Sequence, residues 1–507
     1  MSDVASLRTD SSAPPFRRLL VANRGEIAIR VIRACRELGI SPIAVHSDAD
    51  AGALHVRAAD RSERIGPPPA TESYLSIPAV IDAARRSGAE AVHPGYGFLS
   101  ENAAFARAVE EAGLVFVGPP PTALEALGNK LAARRSAADA GVPIVPGTTV
   151  ALEEDMAGVE AIGFPVMLKA AAGGGGRGMR RVDVAGELAD ALAAARREAA
   201  SAFGDPTIYV ERVVQPARHV EVQLLGDRHG GLAVLGERDC SVQRRHQKLV
   251  EESPSPAVDP AIREALFESA RRVAATVDFH NAATVEFLLD GDGNHYFLEM
   301  NTRLQVEHGV TELVTGLDLV AWQLRVAAGD RLPAAVLDAP RNGHAIEVRI
   351  YAEDPYDGFR PTSGRIGAWR MPEGPGVRVD AGVEEDTDLR PEYDPLLVKL
   401  MVHAEERGAA IDRLRRALDE TIIGGLQTDA GFLRWLVDDA AFVSGMYDTS
   451  LIAERWDSGP PLTDDEVAVA AAAASQARRS STASAPAITV ATGGSRWGEA
   501  ARREALR

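Results

Sequence analysis

Lys169-Ala170-Ala171-Ala172-Gly173-Gly174-Gly175-Gly176-Arg177-Gly178-Met179 is the stretch on which the reading of this chain turns. Having no Cβ atoms, Gly173, Gly174, Gly175 and Gly176 let backbone N–H groups close over a polyphosphate, while Lys169 and Arg177 add positive charge. A flexible linker would carry Ser, Gln or Glu around its glycines. This run lies instead between two apolar, strand-like segments, Val166 to Ala170 and Met179 to Val182. Nor is it a P-loop, because the lysine precedes the glycines and no Gly-Lys-Ser/Thr follows. A glycine loop joining two strands belongs to a different nucleotide-binding fold.

Working upstream, Arg18 to Ala22 reads as a buried strand. Ala28, Val31, Ile32, Cys35 and Leu38 then recur at helical spacing, Gly39 is a stop, and Ile43-Ala44-Val45 is a second strand. The period alternates again through Ile77 to Ala84 (helix), Ala89 to His93 (strand), Asn102 to Ala112 (helix) and Leu114 to Val117 (strand). That rhythm predicts a doubly wound, mostly parallel domain over residues 16–130. The Gly118-Pro119-Pro120-Pro121 cluster breaks it, and Thr122 is placed to cap the next helix. Downstream the pattern becomes antiparallel, with Ile208 to Glu211 and with His219 to Leu225 paired to Leu232 to Glu237 across Asp227-Arg228-His229-Gly230. A mixed α+β region over 343–458 follows, with strands at Ala345 to Tyr351 and Val377 to Asp380 and a helix at Ala409 to Glu420. Residues 1–15 read as a frayed tail and 459–507 as a linker-like tail.

The whole composition fits about three domains. The chain has 507 residues, a formal charge of −18 and only 2 Cys. Such an acidic chain has no global field for nucleic acid or an anionic membrane, so any phosphate must be held by a local cluster. Cys35 and Cys240 are too few and too far apart for a disulfide framework or a CxxC pair, which points to a reducing, cytoplasmic setting, and Cys240 reads as a core thiol. No segment approaches the length of a membrane span.

Three further constellations carry chemistry. In Thr284-Val285-Glu286 and Tyr296-Phe297-Leu298-Glu299-Met300-Asn301, alternation puts Glu299 and Asn301 on one face. If the intervening turn has an even number of residues, such as Gly291-Asp292, Glu286 joins them, and three oxygen ligands meet a hard cation. Arg238 to Lys248 is the densest cationic stretch and is the expected anion site. In Asn301-Thr302-Arg303-Leu304-Gln305-Val306-Glu307-His308, Glu307 is a candidate general base beside the cation Arg303.

Together with Ala22-Asn23-Arg24-Gly25-Glu26-Ile27-Ala28 and His93-Pro94-Gly95-Tyr96-Gly97-Phe98-Leu99-Ser100-Glu101-Asn102, these motifs resemble biotin carboxylase, an ATP-grasp ligase. The resemblance runs from about Phe16 to Ser458 and includes the segments His344 to Arg349 and Tyr393 to Lys399. It implies an α/β and α+β chain: the doubly wound N-terminal domain, an ATP-grasp domain over 131–342 with a mobile lid at about 145–215, and the C-terminal domain. It also implies that ATP and bicarbonate form carboxyphosphate, from which biotin N1 is carboxylated.

Carried over by position, the resemblance implies that Lys130, Lys169 and the glycines Gly173 to Gly176 contact ATP phosphates. Glu211, Arg212, Val214, His219, Gln243 and His246 would surround the nucleotide, and Glu286, Glu299 and Asn301 would hold Mg²⁺ or Mn²⁺. Lys248, Arg303, Gln305 and Val306 would cradle bicarbonate, Glu307 would deprotonate it, and Arg349 would stabilise the biotin enolate. Ala172, Arg212 and Gly309 depart from the family pattern, and Gly309, in place of the usual proline, is expected to loosen the backbone beside Glu307. No lysine here is flanked by Met on both sides, so biotin is expected as a substrate on a carrier protein. A biotin carboxyl carrier protein, a carboxyltransferase subunit and a homodimeric partner are implied, with the acyl-CoA left open. The alternatives are a carbamoyl-phosphate-forming relative and a non-catalytic nucleotide-binding scaffold.

Overall fold

The computed structural model describes residues 16–148, 156–171 and 179–457. Gly173, Gly174, Gly175, Gly176 and Arg177 of the glycine loop lie outside the described residues, as does Ala172.

Arg18–Val21 (β1), Ser41–Ser47 (β2), Arg61–Gly66 (β3), Ala91–His93 (β4) and Val115–Phe116 (β5) form a parallel sheet in the order β3-β2-β1-β4-β5. Strand β1 is buried on both faces, as a central parallel strand must be. Leu19 and Val21 pack on Ile27, Val31 and Ile32 of the helix Gly25–Glu37. Leu20 packs on the other side among Val80, Ile81, Phe105 and Val109. Helices on both faces make the region doubly wound, as the alternating periods predicted. Thr122 caps nothing: the helix Pro121–Gly128 begins one residue earlier, with Pro120 at the cap position and no side-chain cap. Pro121, with φ already fixed near helical values, suits the first helical position.

A four-stranded sheet follows, made of Gly147–Thr148 (β6), Val166–Ala170 (β7), Met179–Val182 (β8) and Ile208–Arg212 (β9) in the order β6-β9-β7-β8. Lys169 and Met179, at the two ends of the glycine loop, are direct partners in the antiparallel β7/β8 pair.

The largest sheet has eight strands, all paired antiparallel. Its members are Ala217–Gly226 (β10), Leu232–Arg244 (β11), Gln247–Ser253 (β12), Asn281–Asp290 (β13), His295–Asn301 (β14), His344–Tyr351 (β15), Val377–Ala381 (β16) and Leu396–Ala404 (β17). The order β14-β13-β10-β11-β12-β15-β17-β16 runs without a break across the boundary expected at 342/343. Strand β15 shows how the sheet makes a site. Ile346, Val348 and Ile350 face a core with Ala410, Ile411 and Leu414 of the helix Arg407–Glu420, so alternation turns Glu347 and Arg349 to the opposite face. No helix among the described residues is long and apolar enough to cross a membrane.

Candidate functional site

The hairpin β13/β14 brings Glu286, Glu299 and Asn301 together by a route other than the even turn. Leu289 pairs with His295 and the backbone N–H of Asp290 donates to the Asn294 carbonyl at 2.9 Å, so the turn holds three residues, Gly291, Asp292 and Gly293. Its last residue, Gly293, has φ +85°, the left-handed position such loops require. An odd turn alone would place Glu286 opposite Leu298. A bulge between Phe287 and Glu286 shifts the register by one, and Glu286 then pairs directly with Glu299. Asn301 Nδ2 lies 3.0 Å from Glu286 Oε1 and 3.5 Å from Glu299 Oε1. Two carboxylates and an amide whose oxygen can be turned to the same point are a donor set of the hard-oxygen kind suited to Mg²⁺ or Mn²⁺.

Lys248 is the hub of the centre. Its Nζ donates to Glu307 Oε1 at 2.7 Å, Glu221 Oε2 at 2.7 Å and Glu286 Oε1 at 3.0 Å. The other oxygen of Glu307, Oε2, accepts from Arg349 Nη2 at 3.0 Å. Burial by itself would raise the pKa of Glu307, but Lys248, Arg349 and Arg238 outweigh it and hold the carboxyl well below its ordinary range. Arg303 is not the cation against Glu307. Its Nη atoms donate to Gln305 Oε1 at 2.9 Å and Asn301 Oδ1 at 3.3 Å, and its Nε lies 3.0 Å from Glu101 Oε2. The side chain leaves the turn toward Glu101 and the β13/β14 hairpin, and Lys248 and Arg349 take the place expected for it.

The Arg238 to Lys248 stretch does not form one anion site. Strand geometry disperses it: Arg238 is fully buried on Glu221, Gln223, Thr311 and Thr284. Arg244 pairs with Glu353 and stacks over Phe359. Arg245 and His246 form the exposed tip between β11 and β12, with φ of +48° and +69°. Of the cations in this stretch, Lys248 alone donates to Glu307, with Gln243 as its direct cross-strand partner. Cys240 is a buried thiol, as read from the sequence, but its Sγ also lies 3.9 Å from Glu307 Oε1.

The remaining expected residues line the approach. Lys130 Nζ is 2.7 Å from Glu299 Oε2. Lys169 and Arg134 both pair with the buried Glu211. His219 Nε2 is 3.1 Å from Glu286 Oε2. Gln305 Nε2 donates to Glu286 at 3.3 Å, while the Val306 carbonyl accepts from Lys399. Arg212 ends β9 with an exposed side chain, and Val214 is half-buried just beyond it. Gly309 is tightly packed and not loose: a Cβ there would lie 2.2 Å from Met401 Sδ.

Several residues at the centre were missed in the sequence. Glu221 holds both Lys248 and Arg238, and stands directly opposite Glu286 in the β10/β13 register. Its position two residues after His219 on one strand was the available signal. Glu251 and Glu347 are fully buried and directly opposed on β12 and β15, with Glu251 paired to Arg349. Burial pushes Glu251 up to about 7 and Glu347 well above its ordinary value, against the pull of Arg349 on the first and Lys399 on the second. Nothing local in sequence announces such a pair.

Three family models match in chain order: "Biotin carboxylase, N-terminal domain" over residues 15–124, "Carbamoyl-phosphate synthase L chain, ATP binding domain" over 129–335, and "Biotin carboxylase C-terminal domain" over 347–454. The biotin carboxylase of Halalkalibacterium halodurans is 50% identical over 443 residues, which is 87% of this chain and 98% of that protein. The mitochondrial methylcrotonoyl-CoA carboxylase subunit alpha of Oryza sativa is 50% identical, across 87% of this chain and 60% of that protein. Among solved structures, the biotin carboxylase domain dimer of Hydrogenobacter thermophilus 2-oxoglutarate carboxylase, in complex with MgADP, ADP and bicarbonate, superposes with a TM-score of 0.85. It is 43% identical, across 88% of this chain and 99% of that one. With this fold and these relatives, the chain belongs to the biotin carboxylase family of ATP-dependent ligases.

Proposed function

We propose that the residues assembled around Lys248 carry out the ATP- and bicarbonate-dependent carboxylation of biotin N1, with the biotin presented on a carrier protein. The observation that carries this reading is the split hold on Glu307, Oε1 by Lys248 and Oε2 by Arg349. Held ionised by these cations, Glu307 is ready to take the proton of bicarbonate at neutral pH. An anion entering between Lys248 and Arg303 shares the charge of Lys248, which weakens the grip of that ammonium on the Glu307 carboxylate and raises its basicity as the proton moves. Gln305 and the Val306 backbone complete the cradle. Deprotonated bicarbonate attacks the terminal phosphorus of ATP and displaces ADP; the carboxyphosphate so formed breaks into CO₂ and phosphate, the phosphate takes the N1 proton of biotin, and N1 then bonds to the carbon of CO₂. Arg349 lies where a planar guanidinium can face the ureido oxygen as it gains charge.

Glu286, Glu299 and Asn301 would hold Mg²⁺ or Mn²⁺, which when bound neutralises charge on the nucleotide phosphates. Lys130 and Lys169 supply ammonium groups for those phosphates. Glu211, Arg212, Val214, His219, Gln243 and His246 border the nucleotide in this reading, and Gly173 to Gly176, outside the described residues, are its expected phosphate contacts. The partners in this reading are a biotin carboxyl carrier protein, a carboxyltransferase subunit and a second copy of the chain. In support, the Oryza sativa relative is a carboxylase subunit and the Hydrogenobacter thermophilus domain was solved as a dimer.

The test is carboxylation of free biotin by the purified chain. ADP release that needs both bicarbonate and biotin is the expected result. ADP release indifferent to biotin would favour a carbamoyl-phosphate-forming type, and absence of turnover a binding scaffold.

A further inference from the structure

Only four of the 55 basic residues are lysines: Lys130, Lys169, Lys248 and Lys399. A chain that relies on arginine for its surface ion pairs keeps lysine where a compact ammonium fits and a planar guanidinium does not. Three of the four stand in the machinery assigned above to the nucleotide and bicarbonate. Lys399 has no part in it, yet is fully buried, at 0% exposure.

Strand β17 places Lys399 directly opposite Arg349 on one side and Asp380 on the other. Its Nζ donates to the Val306 carbonyl at 2.8 Å and lies 3.2 Å from Glu26 Oε1. Val306 is the residue before Glu307, in the turn that leads into the helix His308–Thr315. Glu26 lies in the first turn of the helix Gly25–Glu37 and accepts from the Tyr96 hydroxyl. One ammonium therefore ties the peptide that carries the base to the N-terminal sheet region and to β17. Burial would discharge Lys399, but the facing carboxyls of Glu26 and Asp380 help to outweigh it and keep the ammonium charged.

Resting on the reading of Glu307 as the base, we propose that Lys399 is a positioning residue for it. The ammonium fixes the Val306 carbonyl, and with it the backbone from which Glu307 presents one oxygen to Lys248 and the other to Arg349. Arginine cannot replace it, because a guanidinium would have to fit the same fully buried space between Val306 and Glu26.

The experiment compares Lys399→Met, Lys399→Arg and the pair Glu26→Gln/Lys399→Met in the full chain, the last leaving no unpaired carboxylate at Glu26. In both methionine variants, bicarbonate-dependent ATP cleavage should fall at least about tenfold, with a raised KM for bicarbonate, while the affinity for MgATP stays within about twofold. Lys399→Arg should not restore the response. A normal bicarbonate response, or equal losses in nucleotide affinity and bicarbonate response, overturns the proposal. Failure of both methionine variants to fold makes Lys399 a purely structural residue and overturns it too. Glu307→Gln, assayed in parallel, separates the two readings. If it keeps bicarbonate-dependent cleavage, the assignment of Glu307 as base fails; if it is inactive while Lys399→Met responds normally, only the inference about Lys399 fails.

Discussion

Lys248 Nζ and Glu307 Oε1 lie 2.7 Å apart, inside a space from which Arg303 has been turned away toward Glu101. Glu307, the proposed base, is therefore kept ionised by a residue that the proposed reaction also needs for its anion. Glu307→Gln retains the shape and loses the proton acceptor. Bicarbonate-dependent ATP cleavage should drop by about 10²- to 10⁴-fold, with MgATP affinity unchanged; steady-state rates and calorimetric titration check the two halves.

The Lys130 ammonium, 2.7 Å from Glu299 Oε2, links the proposed phosphate and metal ligands. Glu299→Gln removes one of two carboxylates from the donor set. The Mg²⁺ concentration for half-maximal ATP cleavage should rise by about ten- to a hundredfold, and Mn²⁺ should recover more of the rate than Mg²⁺. A metal titration at fixed ATP measures this.

Gly309 is in contact with the buried Met401, whose sulfur occupies the place a Cβ would take. Gly309→Ala should destabilise the chain by about 1–3 kcal/mol through overpacking. Shortening the partner, as in Gly309→Ala/Met401→Ala, should return part of that loss. A double-mutant cycle in urea gives the coupling, which additive effects would refute.

Glu252 and Glu347 should shift stability with pH in opposite directions. Burial would raise Glu252, but hydrogen bonds from His344 and Arg407 hold it down at about 2. Its stabilisation is present above the unfolded pKa of about 4.3 and is lost as pH falls toward 2. Glu252→Gln should thus cost about 2–4 kcal/mol at pH 7 and less as the solution is acidified. Glu347 is raised by burial, so the native state loses stability as pH climbs above that same unfolded value. Glu347→Gln should stabilise the chain, increasingly so from pH 5 to pH 8. Denaturation midpoints measured from pH 2 to pH 8 read both.

Much of the fold was legible because apolar runs are punctuated by glycine and proline. Strands β7 and β8 match their sequence-read limits, and β1 and the helix Ala103–Glu111 fall within one residue of theirs. Strand β12 escaped because Lys248, Glu251 and Glu252 make it look like a polar loop. Its residues Leu249 to Ser253 are in fact all buried, the charges meeting partners from other strands and from the helix Arg407–Glu420. In the site, Glu299 and Asn301 follow from alternation alone. Glu286 joins them only because the bulge at Leu298 reverses the parity of a three-residue turn, and no sequence rule signals that bulge. Charge density was the misleading cue in Arg238 to Lys248, where pleating sends neighbours to different destinations.

The pairing of β12 with β15 has one more consequence. Val250 stands opposite Val348 and Glu251 opposite Glu347 in an antiparallel ladder, with Lys248 on one strand of this seam and Arg349 on the other. A gene split near residue 343 would yield two fragments, each with a bare strand edge along the seam and half of the reacting centre. Neither fragment should work by itself. Expressed together they have every reason to anneal along that edge, so this junction is a natural place to divide the enzyme into a two-piece reporter whose activity appears only on reassembly.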